Sequence, residues 1–200
     1  MLVTKELRAE IRGRREIAAL EGGREVPGSV PFLRAMLATL GDPMQRDELL
    51  GELSGEYLRA DLEDDHLLVQ RERVSNSPDA AIPLLGLAHS LSMRADGAAE
   101  AKVVAAKAVA ISRKTGALIR YSLISQALVA KRILDAGLFE NTLIELIEDA
   151  ANHRQEDSGF MGELLTDLPV GFCSSEVARR YAAVSGSNET LYLPSEPSER

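Results

Sequence analysis

The sequence predicts an all-α protein built as a short array of antiparallel helical hairpins, and three observations carry that expectation. Ala and Leu dominate, while aromatics make up only 4% of the chain and Trp is absent, which favours helix over a β-sandwich or barrel. Apolar residues recur at helical spacing in one segment after another. From about residue 45 to 158, similar helical pairs follow each other, as in arrays where one hairpin cannot cover its own apolar face. A length of 200 residues suits one domain or two small ones and allows a sizeable core.

Residues 4–21 read as a charged helix, with Thr4 as N-cap, Leu7, Ile11, Ile17 and Leu20 on the apolar face, and Gly22-Gly23 as the stop. Basic residues (Lys5, Arg8, Arg12, Arg14, Arg15, Arg24) are matched there by acidic ones (Glu6, Glu10, Glu16, Glu21, Glu25), so the segment suits a solvated or dimerisation helix rather than a basic arm. A short helix follows, with Ser29 as cap, Pro31 near its first turn and an apolar face from Phe32 to Leu40, ending at Gly41-Asp42-Pro43.

Three hairpins are expected next. The first pairs 45–60 with a helix reaching Ser75, turning near Asp61 and closing at Asn76-Ser77-Pro78-Asp79. The second pairs 80–94 with 98–114, turning at Arg94-Ala95-Asp96-Gly97 and ending at Thr115-Gly116. The third pairs 117–135 with 138–154 around Asp135-Ala136-Gly137. Gly97 and Gly137 are 40 apart, and at that offset Leu84 meets Ile124, Ala88 meets Leu128 and Val103 meets Leu143; Ala60-Asp61 falls 35 before Ala95-Asp96. Small residues at Gly51, Gly55, Gly86, Ala88, Ala105, Ala127 and Ala130 suit close helix approach.

With these residues in place, the chain resembles the tetratricopeptide repeat family. The run from Leu50 to Asp65 is similar to that family's first helix and turn. Pro78 stands where a repeat often ends, Leu85-Gly86 resembles its Leu-Gly pair, and Ala101, Ala105 and Ala108 resemble the small positions of its second helix. The likeness covers about 114 of 200 residues, and its aromatic positions are mostly aliphatic here. It implies a right-handed solenoid with a concave groove, lined by the first helix of each hairpin, that takes a peptide or helix of a partner protein. Residues 1–44 then form an N-terminal cap, 45–158 the three hairpins, 159–187 C-terminal capping helices and 188–200 a loose tail. The capping part contains a short amphipathic helix over 159–170 (Phe160, Met161, Leu164, Leu165, Leu168) stopped by Pro169, and a last helix capped by Ser174 or Ser175. Leu191-Tyr192-Leu193 is an alternative docking strip against the body or a neighbouring chain.

Charge is uneven. Residues 46–79 hold 4 basic and 10 acidic residues, 80–134 hold 8 and 2, and 135–167 hold 1 and 9. The positive band comprises Arg94, Lys102, Lys107, Arg113, Lys114, Arg120, Lys131 and Arg132. One reading is solvated faces paired across hairpins; the sharper one is a patch for an acidic peptide or phosphorylated group. Arg120 and Lys131, 11 residues apart, share one face of the third hairpin's first helix. They lead the expected partner-binding set, with Arg94 and Tyr121. Acidic flanks, a net charge of −8 and few stacking aromatics argue against nucleic acid, and the charge argues equally against a membrane surface.

No catalytic set emerges. Glu63-Asp64-Asp65-His66 contains one Glu-x-x-His, whereas a di-metal bundle needs two with further glutamates; the acidic run suits a helix start. His89 and His153 add no matching spacing. Nucleotide-loop and nucleophile-elbow motifs are absent. Cys173, the lone cysteine, excludes an internal disulfide and reads as a packing residue. No stretch has signal-peptide or membrane-span character. The expectation is a cytoplasmic interaction module without enzymatic activity, cofactor or metal, with homodimerisation through an end of the array. A helical enzyme or small-ligand or metal-binding bundle, and a self-assembling regulatory subunit, stand as alternatives.

Overall fold

A computed structural model describes residues 4–20, 28–152 and 162–185. Among them there is helix and no strand: α1 (Lys5–Leu20), α2 (Ser29–Thr39), α3 (Pro43–Arg59), α4 (Glu63–Asn76), α5 (Ala81–Ser92), α6 (Ala98–Thr115), α7 (Ile119–Arg132), α8 (Ala136–Asn152), α9 (Gly162–Leu165) and α10 (Ser175–Ser185). None of the described helices is long and apolar enough to cross a membrane. The chain divides into two compact units, residues 1–91 and 92–200. The Gly22-Gly23 stop, His153, Phe160-Met161 and Leu191-Tyr192-Leu193 lie outside the described residues.

In the first unit, packing follows chain order: α1 rests on α2, α2 on α3 and α3 on α4. Leu33, Leu37, Leu49, Leu50, Leu53 and Val69 form its core, with Ile11 contributed by α1. Thr4 caps α1 as expected, its hydroxyl accepting from Leu7 N at 3.2 Å, and Arg14 lies 4.2 Å over the Phe32 ring. Ser29 is not the cap of α2. Gly28 holds that position without a side-chain cap, and Ser29 is the first helical residue, its hydroxyl donating to Glu56 Oε2 at 2.5 Å. Glu56 is fully buried and also accepts from Arg59 at 2.6 Å, so a carboxylate from α3 sits at the positive end of α2 where a cap would otherwise act. Asp42 starts α3 by accepting from Gln45 N at 2.8 Å, with Pro43 in the first turn.

A polar network joins α3 to α4 and α5. His66 Nδ1 lies 2.9 Å from Ser54 Oγ and Nε2 2.7 Å from Ser90 Oγ. Gln70 donates to Ser54 Oγ at 2.7 Å, and Arg73 grips both Asp47 oxygens at 3.1 Å. Gly86 permits this approach, because a Cβ there would stand 2.6 Å from Gln70 Oε1.

In the second unit α6 packs on α7, α7 on α8 and α8 on α10, with α9 against α7 and α10. Leu123, Ala127, Phe139, Leu143, Leu146, Leu164, Phe172 and Tyr181 belong to one core, and the Phe139 and Phe172 rings lie 5.3 Å apart. α6 ends at Gly116, whose φ of 70° closes the helix. Asp135 starts α8 by accepting from Leu138 N at 2.9 Å. The Lys102 hydrogen bond, then that amide, draws the Asp135 carboxyl below its usual range. Ser174 is the cap of α10, accepting from Val177 N at 3.4 Å. The helix expected up to Pro169 ends at Leu165, since Asp167 takes a left-handed φ of 51°.

Two glycine substitutions should move stability in opposite directions. A Cβ on Gly13 meets nothing within 4 Å, so Gly13→Ala should stabilise by about 0.5–1 kcal/mol through helix propensity. Gly86→Ala should destabilise by about 1–3 kcal/mol by displacing Gln70. Equilibrium urea unfolding of both variants checks the pair; a Gly86→Ala protein as stable as the parent contradicts the packing described.

Candidate functional site

No group of three or more His, Cys, Asp or Glu among the described residues is placed to hold a metal. His66 is committed to two serines. Cys173 is half-buried; burial first, and the Glu140 charge second, push its thiol up to about 11, opposite to what a nucleophile needs. A surface of α7 stands apart from these groups.

The neighbours of α7 occupy most of its circumference. Ser122 meets Ser112 of α6, Oγ to Oγ, at 2.6 Å. Gln126 accepts from Thr142 of α8 at 3.3 Å, and Leu123, Ile124, Ala127 and Ala130 enter the core. Arg120 Nε donates to Asp149 of α8 at 2.9 Å. Lys131 Nζ donates to the Thr166 carbonyl just after α9. The rest of the circumference carries one stripe at i, i+4, i+7 and i+11: Tyr121, Ser125, Leu128 and Arg132, preceded one turn earlier by Leu118; Leu128 also packs partly against the core, and Arg132 is not without an interaction of its own. Tyr121 is 51% exposed and Leu118 46%, Ser125 and Leu128 are half-buried and Arg132 is exposed. Desolvation nevertheless draws the Arg132 guanidinium below its ordinary value. Leu118 and Leu134, at either end of α7, adopt φ of 61° and 57°, a conformation that costs a branched residue about 1–2 kcal/mol.

The four sequence-predicted residues are thus distributed as follows. Arg120, Tyr121 and Lys131 share α7. Arg120 and Lys131 lie on one face, as their spacing predicts, but that face turns toward α8 and Thr166; the Arg120 and Asp149 side chains are only 18% and 16% exposed. Arg94 lies apart, in the turn before α6, with Nε 3.4 Å from Asp96. Tyr121 points outward. Three members of the positive band pair with the acidic block that follows it in sequence. Besides Arg120, Lys102 reaches Asp135 at 2.6 Å and Arg113 pairs with Glu145. That last pair joins α6 directly to α8, which places both on one side of α7 and the stripe on the other. From sequence, Arg132 stands only within the positive band, and Ser125 and Leu128 fall outside the expected partner-binding set, although their four-three-four spacing from Tyr121 is the signal that could have found them.

No protein-family model, curated protein or solved structure matches the chain.

Three stability and reactivity outcomes follow from this geometry. Arg120→Ala strands the Asp149 carboxylate in a largely buried place and should cost about 2–3 kcal/mol. Tyr181 is fully buried and its hydroxyl lacks a partner among the described residues, so Tyr181→Phe should raise stability by about 1 kcal/mol; a loss on either thermal or urea unfolding contradicts that placement. Cys173 should react with iodoacetamide at pH 7 far more slowly than a free thiol, with the rate climbing toward about pH 11. Rapid labelling of the folded protein at pH 7 contradicts it.

Proposed function

We propose that this chain is a helical-repeat interaction module that binds a segment of a partner protein on the α7 stripe. The observation that carries the reading is a recurring burial pattern. Between Ala81 and Ser90 only Ile82, Gly86 and His89 are not fully buried; 39 residues on, between Tyr121 and Ala130, the same holds for Tyr121, Ser125 and Leu128. In α3, 34 residues before the α5 set, Glu48, Glu52 and Gly55 are half-buried between buried Leu49, Leu53 and Glu56. The second helices repeat as well: Ala101, Ala105, Ala108 and Val109 are buried, as are Phe139, Leu143, Leu146 and Ile147 38 residues later.

Turns repeat too. Leu62 N donates to Tyr57 O at 3.0 Å across left-handed Asp61, and Asp135 N donates to Ala130 O at 2.9 Å across left-handed Leu134. This is the same six-to-one closure in both hairpins. The offsets of 34 and 39 are each one shorter than those read from the turn residues. Gly97 precedes α6, whereas Gly137 falls inside the first turn of α8, so the two glycines are not equivalent. A spacing near 34 residues supports the tetratricopeptide-like reading.

In this reading Tyr121 and Leu128 provide apolar contact and Arg132 favours an acidic group at one end. Arg120 and Lys131 hold α7 against its neighbours and so frame the stripe. A photo-crosslinking residue at Ser125 should form an adduct with another polypeptide in native lysate, and the same residue at Glu148 on α8 should not. Equal adducts at both positions, none at either, or adducts only between copies of this chain contradict the proposal.

A further inference from the structure

Few groups hold α1 to the first unit. Of its described side chains Ile11 alone is fully buried, with Leu7 half-buried one turn earlier. The helix has 16 residues, whereas α2, with 11, buries Ser29, Val30, Leu33 and Leu37. Ile11 enters the core that contains Leu33, Leu49 and Leu53, and Leu7 packs against it. Two polar contacts flank this anchor. Arg8 Nε donates to Glu52 of α3 at 3.2 Å, although the Arg8 side chain is 59% exposed. Arg14 lies over the Phe32 ring of α2. Between them Gly13 faces open space and weakens the helix's own propensity. A segment that buries so little belongs to the low-stability end of a fold, where opening precedes global unfolding. The surface that α1 reaches is the counterpart in α3 of the α7 stripe, since Glu52 belongs to the half-buried set Glu48, Glu52 and Gly55. Glu48 and Glu52, four apart, share one side of α3. The stripe of α3 is therefore acidic, and the helix lying against it presents arginine.

We propose that the α2–α3 face beneath α1 is a helix-binding site, and that α1 is its resident occupant, exchanged for a basic amphipathic helix of a partner protein. The pattern that the face selects is the one α1 presents, Leu7-Arg8-Ala9-Glu10-Ile11-Arg12-Gly13-Arg14. Two aliphatic residues one turn apart enter the core, an arginine after the first meets Glu52, and an arginine three residues after the second covers Phe32. Apolar anchors at helical spacing supply the affinity, and the opposite charge of the α3 stripe selects a basic partner over an acidic one. Because α1 holds the face in cis, a partner binds with an affinity reduced by the fraction of molecules in which α1 is away. The chain thus restrains its own binding. This site belongs to the first unit and does not depend on the α7 stripe, which the Ser125 adduct tests separately.

The probe is a fluorescent synthetic peptide of residues 4–20, titrated into the full chain and followed by anisotropy. It should bind the Ile11→Asp chain about tenfold more tightly than the parent chain, because the substitution releases the competing helix and leaves the face intact. A peptide carrying Arg8→Glu should bind the Ile11→Asp chain about tenfold more weakly than the parent peptide does, and Glu52→Arg in that chain should restore it. Equal affinity for the parent and Ile11→Asp chains, binding to neither, or indifference to the Arg8 and Glu52 changes overturns the proposal. A second measurement needs no variant and stands even where Ile11→Asp fails to fold. In native-state hydrogen exchange of the parent chain, the α1 amides should exchange about a hundredfold faster than those of Leu50 and Leu53, and added peptide should raise the α1 rate further. Exchange of α1 only through global unfolding overturns the proposal. A parent chain that sediments as a dimer, with the Ile11→Asp chain a monomer, means that α1 is exchanged between copies, and the cis occupancy is then wrong.

Discussion

Half of the residues of α7, seven of fourteen, are buried, and they spread over far more of its circumference than one neighbouring helix can cover. This is the constraint from which the second unit follows. One helix shields an arc of roughly 100° of another, so α7 needs α6 and α8 together, with α9 along a further edge. Once those are in place, the surface left over is narrow and has a definite composition. A burial pattern like that of α7 is found in α5 and α3, 39 and 73 residues earlier.

Electrostatics reinforce that arrangement without driving it. The excess positive charge of residues 80–134 and the excess negative charge after them look in sequence like two competing patches. In space three bridges join them: Lys102 to Asp135, Arg113 to Glu145 and Arg120 to Asp149. The two more exposed pairs, Lys102–Asp135 and Arg113–Glu145, contribute little to stability, about 0–1 kcal/mol each, whereas Arg120–Asp149 is largely buried. Their larger effect is on register, because each fixes which residue of α8 lies beside which residue of α6 or α7. The first unit uses a different device. There a buried carboxylate, Glu56 of α3, holds the hydroxyl of the first residue of α2, and a serine–histidine–glutamine network ties α4 to both neighbours.

Much of this was legible in the sequence, because helix position depends on local signals. Thr4, Asp42-Pro43, Gly116 and Ser174 each mark a boundary through their own hydrogen-bonding or conformational preferences, and the expected helices begin and end close to where these residues stand. What escaped depends on tertiary partners. Ser29 looks like a cap until Glu56, 27 residues away, claims its hydroxyl. Leu118, Leu134 and Asp167 take left-handed backbone that no local preference of leucine foretells. The spacing of Arg120 and Lys131 correctly put them on one face, but spacing cannot say which neighbour that face meets. The outward stripe required knowing that α6 and α8 lie together on the other side.

A lysine scan of α7 tests the central claim most directly, with unfolding free energy measured for each position from Ile119 to Arg132. The stacking described here predicts a cost below about 0.5 kcal/mol at Tyr121 and Ser125, a smaller-than-core cost at Leu128, and losses of about 2–4 kcal/mol at Ser122, Leu123, Gln126, Ala127, Val129 and Ala130. Tolerance of lysine at Ser122 and Gln126 would mean that α6 and α8 do not cover those sides of α7, and the packing described here would then be wrong.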